Sequence, residues 1–344
     1  MTKPSLKEVQ EFVWNKYIEQ QDVADSSLDD ELALTLLEES FVRLDLDQNK
    51  DFYAYGVLLF EIAFADEQRQ LAYFTRAKRV LEKYRVVTGE RDWDVINDRL
   101  DDINRFLDDQ GVLGAVESAG DILMDPRLDV AGFLEQRRRF TRIPEGMVLV
   151  PGGEFLFGAE KAPQTTEPFL LDAHPVTNGQ YRAFLESTGY REPRYWDDAR
   201  FNQPDQPVVG VSLGDCKKYA QWVSKDLPTE HQWEKAARGV DGRTYPWGEQ
   251  LKGKGAHFDL DPSRDQCKAI GTVPDEATPY GCHEMAGFVW EWTKSPFEKG
   301  SKDRVLKGGA WTDDERFVRC AARLPAKERE KADNLGFRCC VNPE

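Results

Sequence analysis

Apolar residues recur at helical spacing through the first third of the chain and at short, strand-like spacing after Met147, so the pattern predicts two regions built differently. Ser5-Leu-Lys-Glu8 has the form of a capping box, and Val9, Phe12, Val13 and Tyr17 follow on one helical face. The same period returns in Leu32, Leu36, Leu37 and Phe41, then in Leu71, Phe74, Ala77, Leu81 and Tyr84, closed by Gly89. It returns once more in Trp93, Ile96, Leu100, Ile103 and Leu107. Residues 1–110 therefore read as a domain of four or five antiparallel helices. Residues 111–142 mix glycines, a DPRLD turn and the basic run RRRF, and read as a linker containing a short helix. Arg137, Arg138 and Arg139 either dock on the helical half or form an exposed spacer.

From residue 143 to 344 the texture is different. MVLVPGGEFLFG is a strand, a Pro-Gly-Gly turn and a second strand. Three helices are expected behind caps: Thr177 to Gln180 leading to Tyr181, Phe184 and Leu185; Ser212 to Asp215 leading to Tyr219 and Trp222; Thr229 to Gln232 leading to Trp233 and Ala236. The remainder, including YPWG, GFVWEW and VLKGGAW, reads as loops and short strands packed around indoles.

Bulk properties sharpen this picture. At 344 residues the chain exceeds one ordinary core and fits two domains. Hydrophobic content of 40% suffices for real cores, and 31% charged residues give a solvated surface. No apolar run is long enough for an export signal or a membrane span, which makes the cytoplasm the expected location and a membrane partner unexpected. Net charge of −16 opposes a polyanion, so nucleic acid is not an expected partner. Residues 1–140 carry about −12 of that charge by direct count, a surface that either attracts basic partners or simply keeps the protein in solution. The cysteines, Cys216, Cys267, Cys282, Cys320, Cys339 and Cys340, form no CxxC pair and no zinc spacing; they read as small buried residues or free thiols.

Two motifs need weighing. DLDQNKDFYAYG, residues 45–56, begins like a calcium loop but has Lys50 where a tight turn wants Gly and Gly56 where a bidentate Glu is needed, so it reads as a polar helix connection. Residues 73–107 are similar to tetratricopeptide helical hairpins in their aromatic and alanine placement, without three copies at a fixed period. The first domain is accordingly an α-helical interaction domain.

Across the second domain the ordered motifs MVLVPGGEFLFG, HPVTNGQYRAF, PVVGVSLGDCKKYAQWV, LPTEHQWEKAARG, YPWG, GCHEMAGFVWEW, RVLKGGAW, RCAAR and NLGFRCC resemble the formylglycine-generating enzyme (sulfatase-modifying factor) domain, from about 143 to 342. The resemblance implies a C-type-lectin-like fold with little regular secondary structure for this domain; with the helices read before it, the expected chain is α+β, an N-terminal α-helical bundle or repeat-like domain followed by a C-type-lectin-like domain. Catalytic members of that family oxidise a substrate cysteine with copper held by two thiols in the loop after Gly-Gly-Ser. Here the loop reads Ala310 to Arg319, is shorter than the family's, and contains no cysteine. Asp313, Asp314 and Glu315 stand where soft ligands would be needed, and hard carboxylates do not replace thiolates for Cu(I). No copper is expected. Iron, as in the ergothioneine-synthesis branch, needs a histidine set that the first half lacks; His174, His231, His257 and His283 are scattered, and no iron is expected.

The resemblance also implies a structural calcium ion on Glu284, Gly287, Val289 and Glu291, with Glu284 in place of the family's Asn or Asp. The alternative is that Glu291 ties a loop through hydrogen bonds. A second family site near Asp259 and Leu260 has a shortened loop and is not claimed. Cys320 and Cys339 match family cysteines whose partners would stand at Ala220 and Ala236, so both partners are missing; a bond from Cys216 to Cys339 or Cys340 is conceivable, beside the reduced thiol.

The function that follows is a non-catalytic sulfatase-modifying-factor-like binding protein, using the lectin-like domain to recognise a protein or ligand and the helical domain to engage a second partner. Its candidate contacts are Trp311, Asp313, Glu315, Arg316, Arg319 and Arg323, because rigid aromatics and arginines dominate recognition; the ordinary alternatives are core for Trp311 and a loop-orienting bond for Arg323. A divergent metal-dependent oxidase or oxygenase resting on Cys320 is the second possibility, and the variable protein of a diversity-generating retroelement a third. Nothing in the sequence pairs a nucleophile with a base or cradles a phosphate.

Overall fold

In the first helical stretch, α1 (Leu6–Tyr17), Ser5 and Glu8 close their box as the sequence predicts: the Ser5 amide donates to Glu8 Oε2 at 2.6 Å and the Glu8 amide to Ser5 Oγ at 3.4 Å. The structure is a computed structural model describing residues 4–17, 28–40, 49–88, 94–113, 116, 123–124, 128–140, 142–251, 257–262, 265–273 and 277–343. Phe41, Gly89, Trp93 and residues 45–48 of the calcium-like decoy lie outside the described residues. The chain divides into two compact units, Met1–Arg138 and Arg139–Glu344.

The first unit contains α2 (Asp30–Ser40), α3 (Asn49–Ala65), α4 (Gln70–Thr88), α5 (Asp94–Asp109) and α6 (Val130–Arg137). α3 is the centre of it, apolar on nearly every side, with Tyr55, Val57, Leu58 and Leu59 fully buried against α1, α2 and α4. Its first residues, Asn49 and Asp51, are the second half of the calcium-like decoy and stand in a helix, not a loop. α2 packs on α3 and α1 and buries Ala33, Leu34, Leu36 and Leu37, whereas Leu32, expected on the buried face, is exposed.

Within the expected linker over 111–142 stands the expected short helix, and it belongs to the first unit. Asp129 caps α6 by accepting the Gly132 amide at 3.0 Å, Val130, Phe133 and Leu134 are buried, and α6 packs on α4, where Arg76 donates to the Leu128 carbonyl at 2.6 Å. Apolar residues one helical turn apart made this segment part of the helical unit.

The second unit carries its three helices, α7 (Asn178–Thr188), α8 (Leu213–Trp222) and α9 (Glu230–Arg238), each behind a complete capping box from Thr177, Ser212 and Thr229. Its strands are β1 (Met147–Val150), β2 (Gly153–Phe157), β3 (Ala162–Thr166), β4 (Phe169–Asp172), β5 (Trp290–Pro296), β6 (Asp303–Lys307), β7 (Leu324–Lys327), β8 (Leu335–Gly336) and β9 (Cys340–Val341). They form sheets ordered β1-β4-β9, β2-β3 and β7-β6-β5-β8, antiparallel except for β5 beside β8. Thus β1 and β2, adjacent across Pro-Gly-Gly, belong to different sheets. Between helices and sheet lies an aromatic core in which Tyr181 stacks on Tyr219 at 5.6 Å and Phe337, Trp290, Trp292 and Trp311 are buried.

Candidate functional site

The site is built where β6 leaves the sheet. Lys307, fully buried, gives its ammonium to Glu234 Oε2 at 2.8 Å, and Glu234 Oε1 takes Arg238 Nη1 at 2.7 Å and the Gly158 amide at 2.6 Å. This pins β6 and the turn between β2 and β3 to α9. Gly308 and Gly309 follow with φ of 99° and 69°; a Cβ on Gly309 would stand 2.7 Å from the Phe317 carbonyl, so glycine is needed for the loop to fold back on itself.

The loop satisfies its own backbone. Asp313 accepts the Ala310 amide at 2.8 Å and its own amide returns to the Ala310 carbonyl at 2.9 Å, closing one turn; Phe317 donates to the Asp314 carbonyl at 3.0 Å, closing the next. Burial raises the Asp313 carboxyl above its ordinary value, only partly offset by the Ala310 amide and the Trp290 side chain. The loop is pinned on its return by Val318, buried against Tyr245 and Ala286, and by the Cys320 amide donating to the Thr244 carbonyl at 2.9 Å.

This separates the expected contacts. Trp311 is corrected from contact to core: it is 3% exposed, beside Phe201 at 6.3 Å. Arg323 takes its loop-orienting alternative, donating to the Phe297 carbonyl at 2.5 Å while lying over the Phe297 ring. Asp313 is spent on the turn. Glu315, Arg316 and Arg319 remain exposed on the outer edge, with Arg316 folded onto Asp314 at 2.5 Å. Trp247, which the sequence reading left unassigned, packs half-buried at the margin of the Val318 cluster, stacked on Tyr245 at 5.5 Å. Its signal was the YPWG run itself.

The expected calcium residues surround a second buried group. Glu291 is 1% exposed and takes Arg338 Nε and Nη2, both at 2.8 Å, and Trp233 Nε1 at 2.7 Å. Glu284, with φ of 53°, pairs with His174 Nδ1 at 2.6 Å and accepts the Gly271 amide at 2.8 Å. Burial pushes the Glu284 carboxyl up, but His174, the Gly271 amide and the Arg338 charge outweigh it and leave it below its ordinary value. His283 stacks on His174 at 4.9 Å, so two of the histidines scattered in sequence meet here. Gly287 sits at φ of 78° with the His257 carbonyl where a Cβ would be. Among the described residues, no three His, Cys, Asp or Glu side chains converge as a metal-holding group. Sequence reasoning missed Arg338 and the Lys307–Glu234–Arg238 group, since each joins segments remote in the chain.

A family model described as the sulfatase-modifying factor enzyme 1-like domain matches residues 133–343. The chain belongs to that family. It is 31% identical over 295 residues to the formylglycine-generating enzyme of Thermomonospora curvata, covering 60% of this chain and 97% of the relative. It is also 30% identical over 290 residues to the inactive C-alpha-formylglycine-generating enzyme 2 of Bos taurus, covering 63% of this chain and 96% of that protein. Among solved structures, PvdO from Pseudomonas aeruginosa aligns with a TM-score of 0.48 at 23% identity, over 57% of this chain and 94% of its own.

In this sulfatase-modifying factor domain, thiol-bound copper does not fit the loop. Residues 310–319 contain no cysteine, and Cys320 is fully buried with its thiol pushed up to about 12 by burial, so it is neither a thiolate nor accessible. The other five cysteines are likewise buried and free. No helix among the described residues is long and apolar enough to cross a membrane.

Proposed function

We propose that this chain is a non-catalytic member of its family, a recognition protein that binds a polypeptide partner through the outer edge of the loop after Gly309, while the acidic helical unit engages a second partner. The observation that carries this reading is the loop's chemistry. Its one nearby thiol is buried and protonated, its buried acid holds a turn, and Glu315, Arg316 and Arg319 are left on the surface. Exposed arginines on a loop fixed by its own hydrogen bonds suit a protein contact better than a reaction, which needs an ionised nucleophile or an open metal position. The similarity to a relative named inactive supports the same direction. We place the domain in the C-type-lectin-like class, whose loops serve recognition, on the strength of its motif order and its short strands. Six buried free thiols support a reducing compartment, the cytoplasm, as its place of action.

The test compares full-length protein with a variant carrying Glu315→Ala, Arg316→Ala and Arg319→Ala. Cross-linking followed by mass spectrometry is expected to find a partner polypeptide joined to the loop in the parent and lost from the variant, with both proteins melting at the same temperature. A partner retained by the variant would move the recognition surface elsewhere.

A further inference from the structure

The resemblance on which the family rests implies a calcium ion at Glu284, Gly287, Val289 and Glu291. Calcium takes six to eight oxygens whose lone pairs point at it. In this chain all four carboxylate oxygens are already engaged. Glu291 Oε2 accepts both Arg338 Nε at 2.8 Å and Trp233 Nε1 at 2.7 Å, and its Oε1 accepts Arg338 Nη2 at 2.8 Å. Glu284 Oε1 accepts the Gly271 amide and its Oε2 is bonded to His174.

The guanidinium itself is wired as a structural cation would be. Beyond Glu291, Nη1 donates to the carbonyls of Asp172 and Ala173, both at 3.1 Å, and Nη2 to those of His283 at 2.8 Å and Glu284 at 3.4 Å. A single buried positive charge, fully shielded from solvent, thus gathers the end of β4, the 283–284 turn, β5 and the C-terminal segment. A dication on Glu291 would either displace this guanidinium, leaving it buried without its carboxylate, or face it across a poorly screened interior. The donor set therefore does not fit calcium. We infer that the domain folds around Arg338 in place of a divalent cation at this site, and that no calcium ion held by Glu284 and Glu291 contributes to its stability.

Thermal unfolding of the full-length protein in EDTA and in millimolar calcium chloride tests this. The two midpoints are expected to agree within about 1 °C, whereas a site saturated about a hundredfold above its Kd would raise the midpoint by roughly 5–10 °C. A rise of that size in the parent that vanishes in Glu291→Gln overturns the inference. A rise that persists in Glu291→Gln places the ion at another site and upholds it. Glu284→Gln, which keeps the side chain's shape, serves as the same control should Glu291→Gln fail to fold.

Discussion

Trp311 and Arg316 share a loop and do opposite work. The indole is walled in by the aromatic core while the guanidinium faces water, so residue type alone did not separate them. Trp311→Ala is expected to cost about 3–5 kcal/mol, read as a fall in urea midpoint, because it empties a packed site. Arg316→Ala is expected to leave the midpoint unchanged, since its ion pair with Asp314 is solvent-exposed and local. Arg338 is the residue the sequence concealed most completely. Its partner Glu291 lies 47 positions away, and a lone Arg between Phe and Cys carries no local sign of an ion pair. Arg338→Met should destabilise by about 3–5 kcal/mol, because it strands a buried carboxylate.

At the scale of elements, what was legible was local. Each of the three caps in the second unit joins residues three apart, so Thr177, Ser212 and Thr229 announced their helices. The cap at Asp129 obeys the same chemistry but was overlooked inside a Gly- and Arg-rich stretch. Asp129→Ala should cost about 1 kcal/mol and raise amide exchange in both α6 and α4, if the two pack as one unit. Exchange rising in α6 alone would mean that the helix is only appended. Strand pairing was not legible. β1 joins β4 instead of the adjacent β2, and β5 lies parallel to β8 across a long connection that holds the whole candidate loop. Such pairings depend on the chain closing through space, which no run of alternating residues records.

For the whole molecule, the family and its helical partner unit were legible because many ordered motifs and a strong helical period each span tens of residues. The buried thiols give it a pH dependence with a defined sign. Cys282, Cys320 and Cys340 are pushed up to about 12 by burial, and Cys216, Cys267 and Cys339 are also raised. Unfolded thiols ionise near 9, so above that pH the unfolded chain sheds protons that the folded core keeps, and stability falls as pH rises from 9 toward 12. At about pH 10.5 the loss is roughly 2 kcal/mol per thiol. Lys235, pulled down to about 8 by burial, offsets only about 3 kcal/mol of the total. The urea midpoint should therefore drop clearly between pH 8 and about 10.5, and a flat profile would mean that the thiols are not enclosed. The central claim, that this scaffold recognises without oxidising, is tested most directly by incubating the full-length protein with Cu(I), oxygen and a Cys-x-Pro-x-Arg peptide and analysing the peptide by mass spectrometry. Unmodified cysteine and no tightly held copper are expected; formylglycine in the peptide would contradict a role in recognition alone.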